Sequence, residues 1–338
     1  MVNIAEVAKA ANVSNATVSR ALSGRGSVSP ATRERVLGAA RDLGYVVSQA
    51  ASTLASGRNR NVGVVLPFLD RWFFTQVLAG AQERLVHAGY DVTLYNLAGH
   101  GDERRQVFDT FLLRRRVDAA IAVSLELSDD EISRLHDLGK PLVGVGGPIA
   151  GVPTLAIDDV SAARLATDHL LGLGHTRIAH IGGDEDSDLD FHLPPKRRRG
   201  YEDALVAAGV PGDPSLVAAA DFTIPGGYRA AKQLLGAPAA RRPTAILAAS
   251  DEMAFGAILA ARDLGLSVPG DLSVVGVDDH DLAEFFGLTT IAQHPRRQGA
   301  LAAGSLLAQL EPDAYEPVDP LLPFELVVRS STARPRPA

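Results

Sequence analysis

The chain of 338 residues contains no cysteine, which excludes disulfide staples and thiolate metal sites. Aromatic residues make up only 5%, with a single tryptophan, and methionine occurs twice. No apolar run approaches membrane-spanning length, and no basic stretch followed by an apolar one opens the chain. A cytoplasmic protein with no membrane partner is therefore expected. Positive charge is also in deficit: 33 Lys and Arg against 40 Asp and Glu leave a net charge of −7, at first sight wrong for a nucleic-acid binder. A hydrophobic fraction of 46% can fill sizeable cores, 22% charged residues suit a soluble protein, and the length suits two or three domains.

The charge is not evenly spread. Residues 1–60 hold eight basic side chains against three acidic ones, +5, which leaves −12 for everything after them. A basic module on an acidic body attracts phosphate at one end only. Within that module Ile4, Val7, Ala8 and Ala11 fall at i, i+3, i+4 and i+7, one helical stripe. Asn3 with Glu6 has the spacing of a capping box. Asn12 marks a turn, and Ser14 can cap a second helix that buries Val18, Ala21 and Leu22. The other face of that helix carries Asn15, Ala16, Thr17, Ser19 and Arg20, small or hydrogen-bonding side chains suited to a DNA major groove. Periodicity alone allows an ordinary helical hairpin equally well. Ser29-Pro30 then starts a third helix expected to bury Val36, Ala39, Ala40 and Leu43.

The motifs Ala8…Asn12-Val13-Ser14-x-x-Thr17-Val18-Ser19-Arg20, Val28-Ser29-x-x-Thr32-Arg33-x-Arg35-Val36 and Leu43-Gly44-Tyr45 occur in an order and spacing that resembles the lactose-repressor (LacI) family of bacterial transcription regulators. The likeness runs to about residue 330. It implies a helix-turn-helix DNA-binding domain over 1–47, a hinge helix and linker over 48–60, and a two-lobed effector-binding and dimerisation core over 61–330. Residues 331–338 read as a disordered tail. The resemblance also implies that the second helix enters the major groove, with Asn15, Ala16 and Arg20 at base-reading positions. Arg20 is the strongest candidate, because a guanidinium can bridge guanine O6 and N7. Ser14, Thr17, Ser29 and Thr32 would meet phosphates, roles compatible with capping. The segment Ser48–Ala55, including Ala51, would become helical only on the operator, with Leu54 wedged into the minor groove. Here the usual Pro-Asn is Val47-Ser48, and Ser52 stands where an arginine often follows. One small reading helix and one leucine wedge per subunit imply a homodimer, or a tetramer, on a palindromic site.

Beyond the linker, strand candidates (62–66, 90–95, 118–123, 141–145, 177–181, 244–247, 272–277) alternate with helix candidates (73–88, 103–115, 129–138, 161–173, 196–208, 226–235, 252–264). This alternation predicts an α/β fold with parallel sheets covered on both faces. The resemblance makes it the periplasmic-binding-protein-like core, one lobe from about 61–157 and 293–318, the other from about 160–289 and 322–330. Ligands in such folds sit beyond the carboxyl ends of strands. Three positions qualify: Trp72-Phe73-Phe74, Ser250-Asp251 and Asp278-Asp279, aromatic faces and carboxylates suited to a sugar or other polyol. Each also has a plain reading, as core aromatics or helix caps. The family pattern adds Arg197 as a ligand-gripping residue and matches Gly276-Val277-Asp278-Asp279 to its effector loop. Ser250 replaces the usual asparagine.

An enzyme and a sugar-binding transport protein are the competing classes. The nine histidines form no His-Glu-x-x-His pattern, and neither a Gly-x-Ser-x-Gly elbow nor a phosphate-binding loop occurs. A transport protein would have no use for residues 1–57. Asp184, Asp186, Asp188 and Asp190 read as an acidic surface loop rather than a metal cluster, and no cofactor is expected.

Overall fold

A computed structural model describes residues 2–23, 27–45, 58–97, 102–108, 116–125, 127–137, 139–183, 193–310 and 319–336. The hinge residues Ser48, Ala51, Ser52 and Leu54, the aspartates 184–190 and residues 109–115 of the expected 103–115 helix lie outside these. The chain divides into two units, Met1–Arg60 and Asn61–Ala338.

In the first unit, α1 (Ile4–Ala11), α2 (Asn15–Ser23) and α3 (Pro30–Asp42) surround a small core. The capping box forms as the spacing predicts: Asn3 Oδ1 accepts from the Ala5 and Glu6 amides at 2.9 and 3.1 Å, and Glu6 accepts from the Asn3 amide at 2.9 Å. Asn12 takes a left-handed conformation (φ 52°), and its N–H donates back to the Ala8 and Lys9 carbonyls, ending α1 sharply. Ser14 and Ser29 cap the next two helices by accepting from the Thr17 and Thr32 amides. Val7, Val18 and Val36 are fully buried among Ala8, Ala11, Ala21 and Ala40, where short side chains let the helices approach. Ile4, Leu22 and Ala39 are half-buried. Leu43, expected inside, is exposed, because it is the C-cap residue where the α3 stripe has run out.

The second unit holds two sheets. Strands β1 (Asn61–Leu66), β2 (Asp91–Asn96), β3 (Ala119–Val123), β4 (Leu142–Val145) and β5 (Thr154–Leu155) form the first, all parallel, in the order β2-β1-β3-β4-β5. Strands β6 (Ile178–Gly182), β7 (Val217–Ala219), β8 (Ala245–Ala248), β9 (Ser273–Asp278), β10 (Thr289–Ala292) and β11 (Glu325–Val327) form the second, in the order β11-β10-β9-β8-β6-β7. Only its edge strand β11 runs antiparallel, to β10. The helices are α4 (Trp72–His87), α5 (Asp102–Gln106), α6 (Asp129–Asp137), α7 (Asp159–Gly172), α8 (Leu193–Ala207), α9 (Ile224–Leu235), α10 (Asp251–Asp263), α11 (Ala283–Phe286) and α12 (Pro295–Leu310). Buried β1, β3, β6 and β8 read Val-Gly-Val-Val, Ala-Ala-Ile-Ala, Ile-Ala-His-Ile and Ala-Ile-Leu-Ala, the continuous apolar runs of strands covered on both faces.

The seven expected strands form within a residue or two of their predicted limits. Among the described residues, four further strands and two helices were not expected. Strands β5, β7, β10 and β11 are two to four residues long, too short for a period to register. Helix α12 carries two glycines, one of them at a crossing. It lies so close to α4 that a Cβ on Gly80 would collide with the Arg296 carbonyl, and one on Gly299 with the Val77 carbonyl. The chain passes between the sheets three times, between β5 and β6, between β10 and α12, and between α12 and β11. Ala156 and Leu321 pair at two of these crossings, through Ala156 N–H to the Pro320 carbonyl and Leu322 N–H to the Ala156 carbonyl.

The tail expectation is corrected for residues 331–336. Ser331 is buried, accepts from the Thr289 amide at 2.8 Å and donates to the Val274 carbonyl at 2.6 Å. Ala333 exchanges hydrogen bonds with Ser273, and Arg336 pairs with Asp271. Polar groups that match the amino-terminal ends of β9 and β10 overcame the proline-rich composition.

Candidate functional site

Between the two sheets lies a cavity of about 300 Å³, at the small end of ligand pockets. Its walls come from loops beyond the carboxyl ends of strands, where main-chain turns present side chains without blocking the sheet. Phe68 follows β1, and Phe73 and Phe74 open α4. Their rings meet edge to face, Phe68–Phe74 at 5.7 Å and Phe73–Phe74 at 5.5 Å, an apolar wall from the first lobe. Phe222, after β7, and Leu193 supply apolar surface from the second.

The polar groups form two hydrogen-bonded sets. Arg197 is 4% exposed, and its Nε donates to Asp159 Oδ1 at 2.9 Å while its terminal nitrogen donates to the Ala249 carbonyl. Asp278 ends β9 and accepts from Gln293 Nε2 at 2.5 Å. Gln298 on α12 in turn donates to the Gln293 carbonyl at 2.7 Å. Burial pushes the Asp278 carboxyl up to about 7, against the pull of the Arg197 charge and the Gln293 hydrogen bond. Asp278 and Asp279 both have positive φ, 141° and 56°, a strain that the surrounding fold must hold. Asp279 is secured by Arg329 at 2.7 Å.

Of the effector candidates read from the sequence, Phe73, Phe74, Arg197, Ser250 and Asp278 line this cavity together. Ser250 also caps α10 by accepting from the Met253 amide at 3.3 Å. Trp72 and Asp251 do not line it. Asp251 is wholly buried and accepts from Thr290 Oγ1 at 2.6 Å and from the His280 amide at 2.8 Å. Burial, then the neighbouring Asp278 charge, holds its carboxyl well above the usual range. It braces the loop that carries Asp278 from behind. Trp72 sits at the rim, against His280 and Asp281. The sequence reading missed Asp159, Asp221, Phe222, Glu252, Gln293 and Gln298. The strand-end rule would have found Asp221, Phe222 and Gln293 had β7 and β10 been recognised.

On the first unit Asn15, Ala16, Ser19 and Arg20 are exposed along α2, with Ser14 exposed and Thr17 half-buried at its start. Arg20 Nε donates to the Ala16 carbonyl at 3.2 Å, laying the side chain along the helix face. Ser14 and Thr17 share a hydroxyl hydrogen bond of 2.9 Å, as do Ser29 and Thr32, at two helix N-termini whose amides favour anions.

Fold and site define a two-part protein: a three-helix headpiece with a polar exposed face on α2, and an α/β core with a cavity between its two sheets. The family model described as "Bacterial regulatory proteins, lacI family" matches residues 3–48, and the one described as "Periplasmic binding protein-like domain" matches residues 167–332. The HTH-type transcriptional repressor CytR of Escherichia coli strain K12 is 35% identical over 332 residues, covering 97% of this chain and 95% of CytR. The lac repressor dimer bound to operator and the anti-inducer ONPF superposes with a TM-score of 0.83 at 29% identity, over 98% of this chain and 99% of that one. The CelR–cellobiose complex, a transcriptional regulator, superposes with a TM-score of 0.70 at 32% identity, over 98% and 100%. The chain belongs to the lacI family of bacterial regulatory proteins and is a DNA-binding transcription regulator. Among the described residues no helix is long and apolar enough to cross a membrane.

Proposed function

We propose that this regulator is a cytoplasmic repressor without enzymatic activity, which binds a palindromic operator as a homodimer and senses a sugar in the cavity. The cavity carries this reading. Phenylalanine rings on both walls suit the C–H faces of a pyranose or furanose, and the Asp278 and Asp221 carboxylates suit its hydroxyls. The cellobiose complex of CelR and the operator-bound lac repressor dimer support it. On DNA, Asn15, Ala16 and Arg20 read bases, Ser19 lies on the same groove-entering face, and Ser14, Thr17, Ser29 and Thr32 touch phosphates. Ser48, Ala51 and Leu54 then belong to a hinge that orders in the minor groove. A ligand that changes lobe closure moves the paired hinges. A differential affinity of about 1–3 kcal/mol suffices for a roughly 5–150-fold change in operator binding.

The test begins with selection of duplexes from a random palindromic library by the full-length protein. Affinity for the selected site should fall by roughly 10³–10⁵ between about 50 and 200 mM salt if six to ten phosphates are neutralised. A thermal-shift panel of pentoses, hexoses, disaccharides and nucleosides follows, and hits are added back to the DNA titration. No enriched site, or affinity indifferent to salt, overturns the DNA half. Hits whose binding survives both Asp278→Ala and Arg197→Ala overturn the cavity half.

A further inference from the structure

Trp72, which the cavity does not use, joins the two lobes just outside it. Its indole Nε1–H donates to Asp281 Oδ2 at 3.0 Å, and its ring stacks on His280 with centroids 4.7 Å apart and planes 28° from parallel. Trp72 opens α4, which packs with α12 on the first sheet. His280 and Asp281 follow β9 of the second sheet. The placement has a local reason. Helix α4 begins without a cap of its own, since Arg71 makes no side-chain cap bond and the first turn contains no acidic residue. The Glu252 carboxylate of the opposite lobe lies near this uncapped end, and Asp281 of that lobe takes the indole N–H. On the far side, the His280 amide is tied to Asp251, and Phe255 meets the His280 ring edge to face at 5.2 Å. The contact therefore has a firm footing in each lobe. It lies one residue from Phe73 on one wall and two from Asp278 on the other.

From this geometry we infer that Trp72, His280 and Asp281 form a latch that holds the lobes closed over the cavity. The latch positions the Phe73–Phe74 wall against Asp278, so it sets how long a bound ligand stays. It regulates the site proposed above, yet it is a property of the empty protein. Its failure is therefore distinguishable from failure of the sugar or DNA readings.

The test needs neither ligand nor DNA, because the chain has one tryptophan and that residue is in the latch. In the full-length protein, Asp281→Ala should raise acrylamide quenching of Trp72 about twofold and shift its emission to the red. Amide hydrogen exchange in residues 73–75 and 277–279 should quicken about tenfold, equivalent to about 1.4 kcal/mol less closure. Exchange within the buried face of α12 should be unchanged, and Asp281→Asn, which keeps an acceptor, should stay close to wild type. Trp72→Phe retains the stack but loses the donor, so it should reproduce the faster exchange if Asp281→Ala folds poorly. Unchanged quenching and exchange in Asp281→Ala overturn the latch. Equal acceleration in α12 overturns it as well, since the substitution then loosens the whole lobe.

Discussion

Arg197 offers the most quantitative test of the cavity's construction. Its ion pair with Asp159 is 4% and 5% exposed, so truncation to alanine strands a carboxylate away from water. Breaking a buried pair in this way costs about 3–5 kcal/mol, and the Ala249 carbonyl loses its donor at about 1 kcal/mol more. Asp159 also borders the cavity, through which water can reach it, so the lower end, about 3 kcal/mol, is expected. For a core of this size each kcal/mol moves the melting temperature by about 2–4 °C, which predicts a fall of about 6–12 °C. The exposed pair Arg164–Asp168 (53% and 48% exposed) is the control, and Arg164→Ala should cost about 0–1 kcal/mol. Replacing both partners, as Arg197→Met with Asp159→Asn, should be milder than the sum of the single losses by about 1–3 kcal/mol, because no buried charge remains. Urea unfolding of the five full-length variants, the single Arg197→Met and Asp159→Asn included, measures all of these. A cost for Arg197→Ala no greater than that of Arg164→Ala, or strict additivity in the double variant, refutes the buried pair.

Three further outcomes are expected. Arg20→Ala should lose about 1–3 kcal/mol of discrimination at one base pair per half-site in titrations of singly substituted duplexes, whereas an equal loss on every sequence would make Arg20 a phosphate contact. Gly80→Ala should destabilise the core by at least about 2 kcal/mol in urea unfolding, since the new methyl group meets the rigid Arg296 carbonyl of α12, and wild-type stability would disprove the close crossing. The third concerns pH. Because the folded Asp278 pKa lies above its unfolded value, the folded state holds the proton more tightly, and stability declines as pH rises from about 4 to about 7. Asp278→Asn removes that dependence, so its melting temperature should exceed wild type at pH 8 and converge with it near pH 4. A difference constant across pH would mean Asp278 titrates normally.

Much of this protein is written locally. The Asn3–Glu6 box, the Ser14 and Ser29 caps and the Val7, Val18 and Val36 stripes act within a turn or two, so their spacing specified the headpiece helices without help from the rest of the chain. The apolar runs of β1, β3, β6 and β8 likewise announced covered parallel strands, and the motifs of residues 8–45 carried the family. Tertiary structure decided the rest. Strands of two to four residues such as β5 and β10 exist because neighbours pair with them, and α4 and α12 cross through Gly80 and Gly299, whose value appears only when the two helices lie against each other. Neighbouring positions on a helix point about 100° apart. Periodicity thus could not separate Phe73, which faces the cavity, from Trp72 beside it at the rim, or Ser250 from Asp251. Arg197 and Asp159 stand 38 positions apart, and Trp72 and Asp281 209. Contacts that distant are chosen by how the two sheets stack and where their carboxyl ends meet, a property of the folded chain that no local pattern encodes.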